Sequence, residues 1–111
     1  MRKSAAATAQ SATVFAALGD ATRLSLLQHL SEGGDQSIQS LTQTTSVTRQ
    51  AVTKHLHVLE HAGLVRCREH GRERHYALAP NALDSAQEYL EAIARHWDNA
   101  LLRLKAHVET K

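Results

Sequence analysis

Thr48-Arg49-Gln50-Ala51-Val52-Thr53-Lys54-His55-Leu56-His57-Val58-Leu59-Glu60-His61-Ala62-Gly63 is the stretch on which the reading of this chain turns. Thr48 is a good N-cap, because its hydroxyl oxygen can accept a free N–H of the first helical turn, and Gly63 is a good C-terminal stop. Turned at about 100° per residue, Ala51, Val52, His55, Leu56, Val58, Leu59 and Ala62 fall on one half of the helix. Arg49, Gln50, Thr53, Lys54, His57, Glu60 and His61 fall on the other. The segregation is complete, so one face belongs to a core and the other to solvent or a partner. The outer face also has a direction. Its first two turns carry Arg, Gln, Thr and Lys, and an acid appears only later. That end is built to meet something anionic that also offers hydrogen bonds.

Beyond Gly63 the period changes. Leu64 to Glu69 and Arg74 to Leu78 read as two strands, with His70-Gly71-Arg72-Glu73 as a hairpin tip in which Gly71 is available for positive φ. Pro80 ends the second strand, and Asn81 or Asp84 starts a long last helix. Its apolar stripe is Leu83, Leu90, Ile93, Trp97, Leu101, Leu104 and Val108, more surface than a small domain can cover, so a partner helix is implied. Towards the N-terminus, Ser37 caps a short helix through Leu41, and Thr42 to Ser46 is a turn. Asp20 caps a helix from Ala21 to about Leu30, with Leu24, Leu27 and Leu30 on one stripe, and Ser31 to Asp35 is a loop. An earlier helix stops at Gly19, and residues 1–10 read as a flexible tail before a single domain over 11–109.

The balance of the chain fits one domain: 111 residues, 42% hydrophobic and 22% charged. Its formal net charge is only +2, but Ser46 to His75 holds six of the Lys and Arg residues against three acids, and five of the eight His. A basic segment in a near-neutral chain points to a polyanion-binding face, with a solvated surface as the plainer alternative. One Cys excludes a disulfide framework and any Cys-pair zinc site; Cys67 reads as a structural strand residue, with no second Cys to resolve an oxidised one. The basic start lacks an apolar run behind it, and no apolar run approaches the roughly 20 residues of a membrane helix. The expectation is therefore a cytoplasmic protein with no membrane partner. No phosphate loop, no supported Ser/His/Asp grouping and no HExxH is present, so an enzyme is not expected, and no cofactor.

Helix, helix, short helix, helix, hairpin, long helix is the order of a winged helix-turn-helix, a mainly α fold with a small β-hairpin, in which the fourth helix enters the DNA major groove. In that frame Arg49 and Gln50 can each grip a base edge as a bidentate pair, Arg on guanine and Gln on adenine. Thr53 can touch a thymine methyl or a phosphate. Thr48 and Lys54 are placed to hold phosphates, and Ser37 and, on the outer face, His57 are further candidate contacts. Arg72 and Arg74 on the wing reach the backbone or minor groove, or pair locally with the intervening Glu73. His55, in the middle of the apolar face, is read as a satisfied core histidine rather than a ligand.

Leu18-Gly19-Asp20-Ala21-Thr22-Arg23-Leu24-x-Leu26-Leu27 resembles the opening of the ArsR-type transcriptional repressors. Arg49 through Val65 is similar to that family's recognition helix and its exit into the wing, and Gly71 to Leu78 to its wing and second strand. The resemblance spans about residues 14–108. It implies a homodimer joined through the first and last helices, here Phe15, Leu90, Ile93, Trp97, Leu101 and Leu104, and repression at an inverted-repeat operator on double-stranded DNA, relieved by a signal. Many members sense metal through Cys in the helix before the recognition helix, and residues 38–44 hold none. Others use the last helix, where His96 and His107 have the right separation, but the outer ligands would fall at Ala94 and Thr110, which cannot serve. No metal site is therefore expected. A metal-responsive repressor using His96 and His107 alone, an unknown small-molecule inducer, and a winged helix that binds only protein remain the alternatives.

Overall fold

A computed structural model describes residues 2–109, with side chains described for 8–109. The elements in chain order are α1 (Arg2–Leu18), α2 (Ala21–Gly33), β1 (Gln36–Ser37), α3 (Ile38–Gln43), α4 (Arg49–His61), β2 (Val65–His70), β3 (Glu73–Leu78) and α5 (Asp84–Glu109). Three helices begin on the caps their sequences supply. Asp20 Oδ2 accepts from Arg23 N at 3.0 Å, Ser37 Oγ from Ser40 N at 3.0 Å and Thr48 Oγ1 from Ala51 N at 3.1 Å. The helix α4 ends in a Schellman turn: Gly63 sits at φ 78°, its N–H donates to Glu60 O, and Leu64 N–H reaches back to Leu59 O.

The core lies where α1, α2, α3 and α4 converge on the sheet. Val52, Leu56 and Leu59 of α4 are 0% exposed and meet Leu26 and Leu30 of α2, Ile38 and Leu41 of α3, Val14 and Ala17 of α1, and Val65 and Tyr76 of the sheet. Burying each of the larger side chains is worth roughly 1.5–3 kcal/mol, so this face alone fixes the roll of α4 about its axis. Cys67 packs partly buried against the same core, as expected of a structural strand residue, and pairs across β3 with Tyr76, whose hydroxyl burial pushes up to about 12.

Several boundaries differ from the sequence reading. Residues 2–10, expected as a tail, are helical backbone, because an Ala-rich stretch has the highest intrinsic helix propensity. The helix α2 runs past Leu30 to Gly33, where Gly34 at φ 72° ends it, and α3 runs on to Gln43. Leu24, expected on the α2 stripe, is 50% exposed, and the buried pair is Leu26 and Leu30. Val58 likewise leaves the α4 core face at 42% exposed. The hairpin tip is shorter than expected. His70 and Glu73 are paired, so only Gly71 and Arg72 turn, with positive φ at Gly71 alone, as a type II′ turn requires. The strand β1 was not foreseen, since two residues carry no period. It pairs antiparallel with β3, giving the sheet order β1-β3-β2.

The helix α5 leaves the body. Of its 26 residues only Ala86 is buried, and Tyr89 is held against Phe15 of α1 with ring centroids 6.0 Å apart. The stripe beyond it stays open: Leu90 is 54% exposed, Ile93 42%, Trp97 66%, Leu101 50% and Leu104 58%. The projecting helices raise the radius of gyration to 18.7 Å, against about 13 Å for a compact chain of this length. No helix among the described residues is long and apolar enough to cross a membrane.

Candidate nucleic-acid interface

With Val52, Leu56 and Leu59 turned inward, the opposite face of α4 must point out. Thr48, Arg49, Gln50, Lys54 and His57 are exposed and Thr53 is half-buried. The Thr53 hydroxyl donates to Arg49 O at 2.9 Å, so its proton is already used within the helix. No acid lies in the first turn of α4, so the positive end of the helix dipole is left uncompensated beside Arg49. Among the described residues none of Arg49, Lys54, Arg72 and Arg74 is engaged in a salt bridge, so these cations are available to an external anion.

The tertiary structure brings four of the sequence candidates together. Ser37, Arg49, Arg72 and Arg74 border one hollow of about 270 Å3, with Gln39 and Glu73 beside them. The N-cap of α3, the first residue of α4 and the hairpin tip thus form one basic concavity, although they are up to 37 positions apart in the chain. Ser37 is half-buried, and its oxygen is already occupied by the Ser40 N–H. His57 is not part of this group. It lies two turns further along α4 and borders a separate hollow against Thr13 and Ala16 of α1.

Two arrangements that hold this surface in place were not found from sequence. Arg23 Nε donates to Ala17 O at 2.6 Å and Nη2 to Ala16 O at 3.2 Å, so the guanidinium caps the C-terminus of α1. Its Nη1 lies 3.3 Å from His55 Nδ1, and that nitrogen is 3.9 Å from Asp20 Oδ2. The half-buried His55 therefore ties α4 to the start of α2 and the end of α1. The Arg23 backbone N–H holds the Asp20 carboxyl below the usual carboxylate range. The second arrangement anchors the wing. His75 Nδ1 is 2.7 Å from Asp35 Oδ1 and its Nε2 is 3.1 Å from Glu73 Oε2, with the His70 ring 4.8 Å away. The hydrogen bond to Asp35, then that to Glu73, raises the His75 pKa. The pattern Leu-Gly-Asp-x-x-Arg was the available signal for the first. Nothing in the sequence places Asp35 beside His75, because the contact depends on β1 pairing with β3.

Among the described residues no three His, Cys, Asp or Glu side chains come together to hold a metal ion, and Thr110 of the last-helix pattern lies outside them. The six expected interface residues do share one side of the molecule. Phe15 and Leu90 line a groove of about 530 Å3 between α1 and α5, and Ile93, Trp97, Leu101 and Leu104 continue along α5 as an exposed apolar face.

Comparison with known proteins agrees with this geometry. A helix-turn-helix domain model matches residues 18–68. An uncharacterised HTH-type transcriptional regulator of Bacillus subtilis, YuzN, is 45% identical over 67 residues, covering 55% of this chain and 73% of that protein. The arsenical resistance operon repressor of Escherichia coli is 31% identical over 94 residues, covering 75% of this chain and 80% of that protein. An ArsR-like transcriptional regulator from Rhodococcus sp. RHA1 superposes with a TM-score of 0.77 at 41% identity, covering 88% of this chain and 92% of that one. The homodimeric winged helix-turn-helix DNA-binding domain of Mb0332 from Mycobacterium bovis, a possible ArsR-family regulator, superposes with a TM-score of 0.69 at 26% identity, covering 92% of this chain and 90% of that one. The fold is thus that of a winged helix-turn-helix transcriptional regulator. The chain belongs to the ArsR family of such regulators, which is not a family of enzymes.

Proposed function

We propose that the protein is a cytoplasmic homodimeric repressor in which each protomer inserts α4 into a major groove of an inverted-repeat operator. The observation that carries this reading is the shared basic hollow of Ser37, Arg49, Arg72 and Arg74 at the uncompensated N-terminus of α4. On this reading Arg49, at the hollow, and Gln50 beside it read base edges, with Thr53 on a thymine methyl or a phosphate and His57, outside the hollow and two turns along α4, as a further contact. Thr48 and Lys54 hold phosphates, and Ser37 stands beside them at the α3 N-cap. Arg72 and Arg74 brace the duplex outside the groove. The open face of α5, with Phe15 of α1, meets its counterpart in a second copy and sets the spacing of the two recognition helices at about 34 Å, one turn of DNA. The Mycobacterium bovis homodimer supports that assembly.

The test is fluorescence anisotropy with the promoter of the protein's own gene and a scrambled duplex, across a salt series and with and without Zn2+. About six phosphate contacts per dimer, from Lys54, Arg72 and Arg74 of each protomer, give a log–log salt slope near −5. Affinity should then fall about a thousandfold between 50 and 200 mM salt. Promoter selectivity with that slope, indifferent to zinc, is the expected result. Absence of salt dependence overturns the DNA reading in favour of a protein-binding winged helix, and release by zinc reinstates His96 and His107 as a site.

A further inference from the structure

Outside α5 the large hydrophobic side chains left exposed among the described residues are Leu24 (50%), Val58 (42%), Leu78 (40%) and Leu83 (53%). Three of these four line one cavity of about 620 Å3. Leu24 comes from α2, Leu78 from the end of β3, and Leu83 from the turn that leads into α5, while Leu64, 1% exposed, belongs to the lining on the core side. The volume falls inside the roughly 300–1,000 Å3 of small-ligand sites, and the composition is theirs too: an apolar interior with a few hydrogen-bonding groups, here Gln28, Ser31 and Asn81. Asp84 is its one ionisable residue and is in no salt bridge among the described residues. The cavity therefore accepts a neutral or cationic head and disfavours an anion.

Its position gives an occupant something to act on. Leu64 directly follows the Gly63 stop of α4, and its carbonyl accepts Ala79 N–H at 3.0 Å. Between Ala79 and Asp84 the chain turns on Asn81 at φ 59°, with bonds from Ala82 N to Ala79 O and from Asp84 N to Asn81 O. This elbow sets the direction of α5 relative to α4. A molecule wedged between α2, β3 and the elbow touches both sides of that joint and favours one angle over others. The α1–α5 groove is distinct. It shares only Leu18 and Leu83 with the cavity and continues along α5 through Leu90 and Ala94, whereas the rest of the cavity is walled by α2, the end of β3 and the elbow.

We propose that the cavity between α2, the end of β3 and the 79–84 elbow binds an uncharged or cationic hydrophobic small molecule, and that its occupancy sets the angle of α5 and hence the spacing of the recognition helices. The regulatory half rests on the DNA-binding reading above; the binding half does not. The test is a fluorescence titration of the full chain with N-phenyl-1-naphthylamine, a neutral hydrophobic amine. In parallel, 1-anilinonaphthalene-8-sulfonate offers the same ring skeleton with a negative charge. One neutral probe per chain should bind, and the sulfonate should bind more weakly. Leu24→Gln, at a position already half in water, should weaken the neutral probe about tenfold with the circular dichroism spectrum unchanged. Asp84→Asn should narrow the gap between the two probes. Leu102→Gln, on exposed α5, should change neither. Equal binding of both probes, insensitivity to Leu24→Gln, or loss of binding as rising protein concentration drives dimerisation overturns the site, the last because the partner protomer then covers it. In the promoter anisotropy assay, the neutral probe should shift the affinity of the wild type and not of Leu24→Gln. A bound probe that leaves promoter affinity unchanged overturns the regulatory half. Failure of all promoter binding would sink the DNA reading while the titration still decides the cavity.

Discussion

Replacing Arg23 by Met tests whether one side chain joins the end of α1 to the recognition helix. Met keeps the length and apolar body of the stem, so the packing loss is small and the guanidinium is what goes. Two charge-assisted bonds to carbonyls of α1 are removed, to Ala17 O at 2.6 Å and Ala16 O at 3.2 Å, and with them goes the 3.3 Å contact of Nη1 to His55 Nδ1 that reaches α4. A hydrogen bond to a charged group contributes about 1.5–3 kcal/mol when shielded. The first bond is part-buried and falls at the low end of that range, about 1.5 kcal/mol. The second is exposed and contributes about 0.5 kcal/mol. The sum, about 2 kcal/mol, corresponds to a fall in melting temperature of roughly 8 °C for a domain of this size. Thermal unfolding by circular dichroism, at one fixed protein concentration because dimerisation shifts the midpoint, reads it directly. Arg23→Lys should lose about half as much, since a single ammonium reaches one carbonyl. A Met variant within about 0.5 kcal/mol of the wild type, the ordinary scatter of surface substitutions, would refute the reasoning.

Arg49→Ala should cost about 1–3 kcal/mol on a matched operator and flatten the preference at one base pair, whereas Arg72→Ala should weaken every sequence alike and reduce the salt slope; competition anisotropy with matched and mismatched duplexes separates the two. The raised pKa of His75 means that the folded wing binds its proton more tightly than the unfolded chain does. That contribution to stability is in full force below pH 6.5, and it is lost as pH rises through the folded-state value. His75→Asn should therefore be less stable than the wild type at pH 6, and the gap should close with rising pH in melting curves; a gap independent of pH would contradict the clamp. Trp97→Glu, at a position 66% exposed, should leave the protomer folded and raise the dimer dissociation constant at least about thirtyfold in sedimentation velocity.

The caps and the recognition helix were legible because they are local. Thr48, Asp20 and Ser37 bond N–H groups three residues away, and the apolar half of α4 repeats at the helical period, so each is written in a short window of sequence. What was misplaced depended on neighbours. Leu24 and Leu26 are both leucine in one helix, and only the packing against α4 and the sheet decides that Leu26 is the buried one. The start of α1 was misread because polar Ser, Thr and Gln among the alanines look like a tail when no apolar period is present. The outward placement of the candidate residues on α4 was legible for the same local reason as the helix itself, whereas the two anchors behind them were not.

Sequence alone thus determined the order of the helices and the hairpin, though not β1, the roll of α4, the unmatched apolar length of α5 and the residue types offered to an anion, since each follows from periodicity, capping or charge within about one element's length. Only the tertiary structure decided which of those residues stand together. The Arg23–His55–Asp20 tie spans α1, α2 and α4, the His75–Asp35 clamp exists because β1 pairs with β3, and the basic hollow of Ser37, Arg49, Arg72 and Arg74 is made by closing the hairpin over α3 and α4. Such contacts join residues tens of positions apart, and a one-dimensional pattern carries no distance between them until the core has closed.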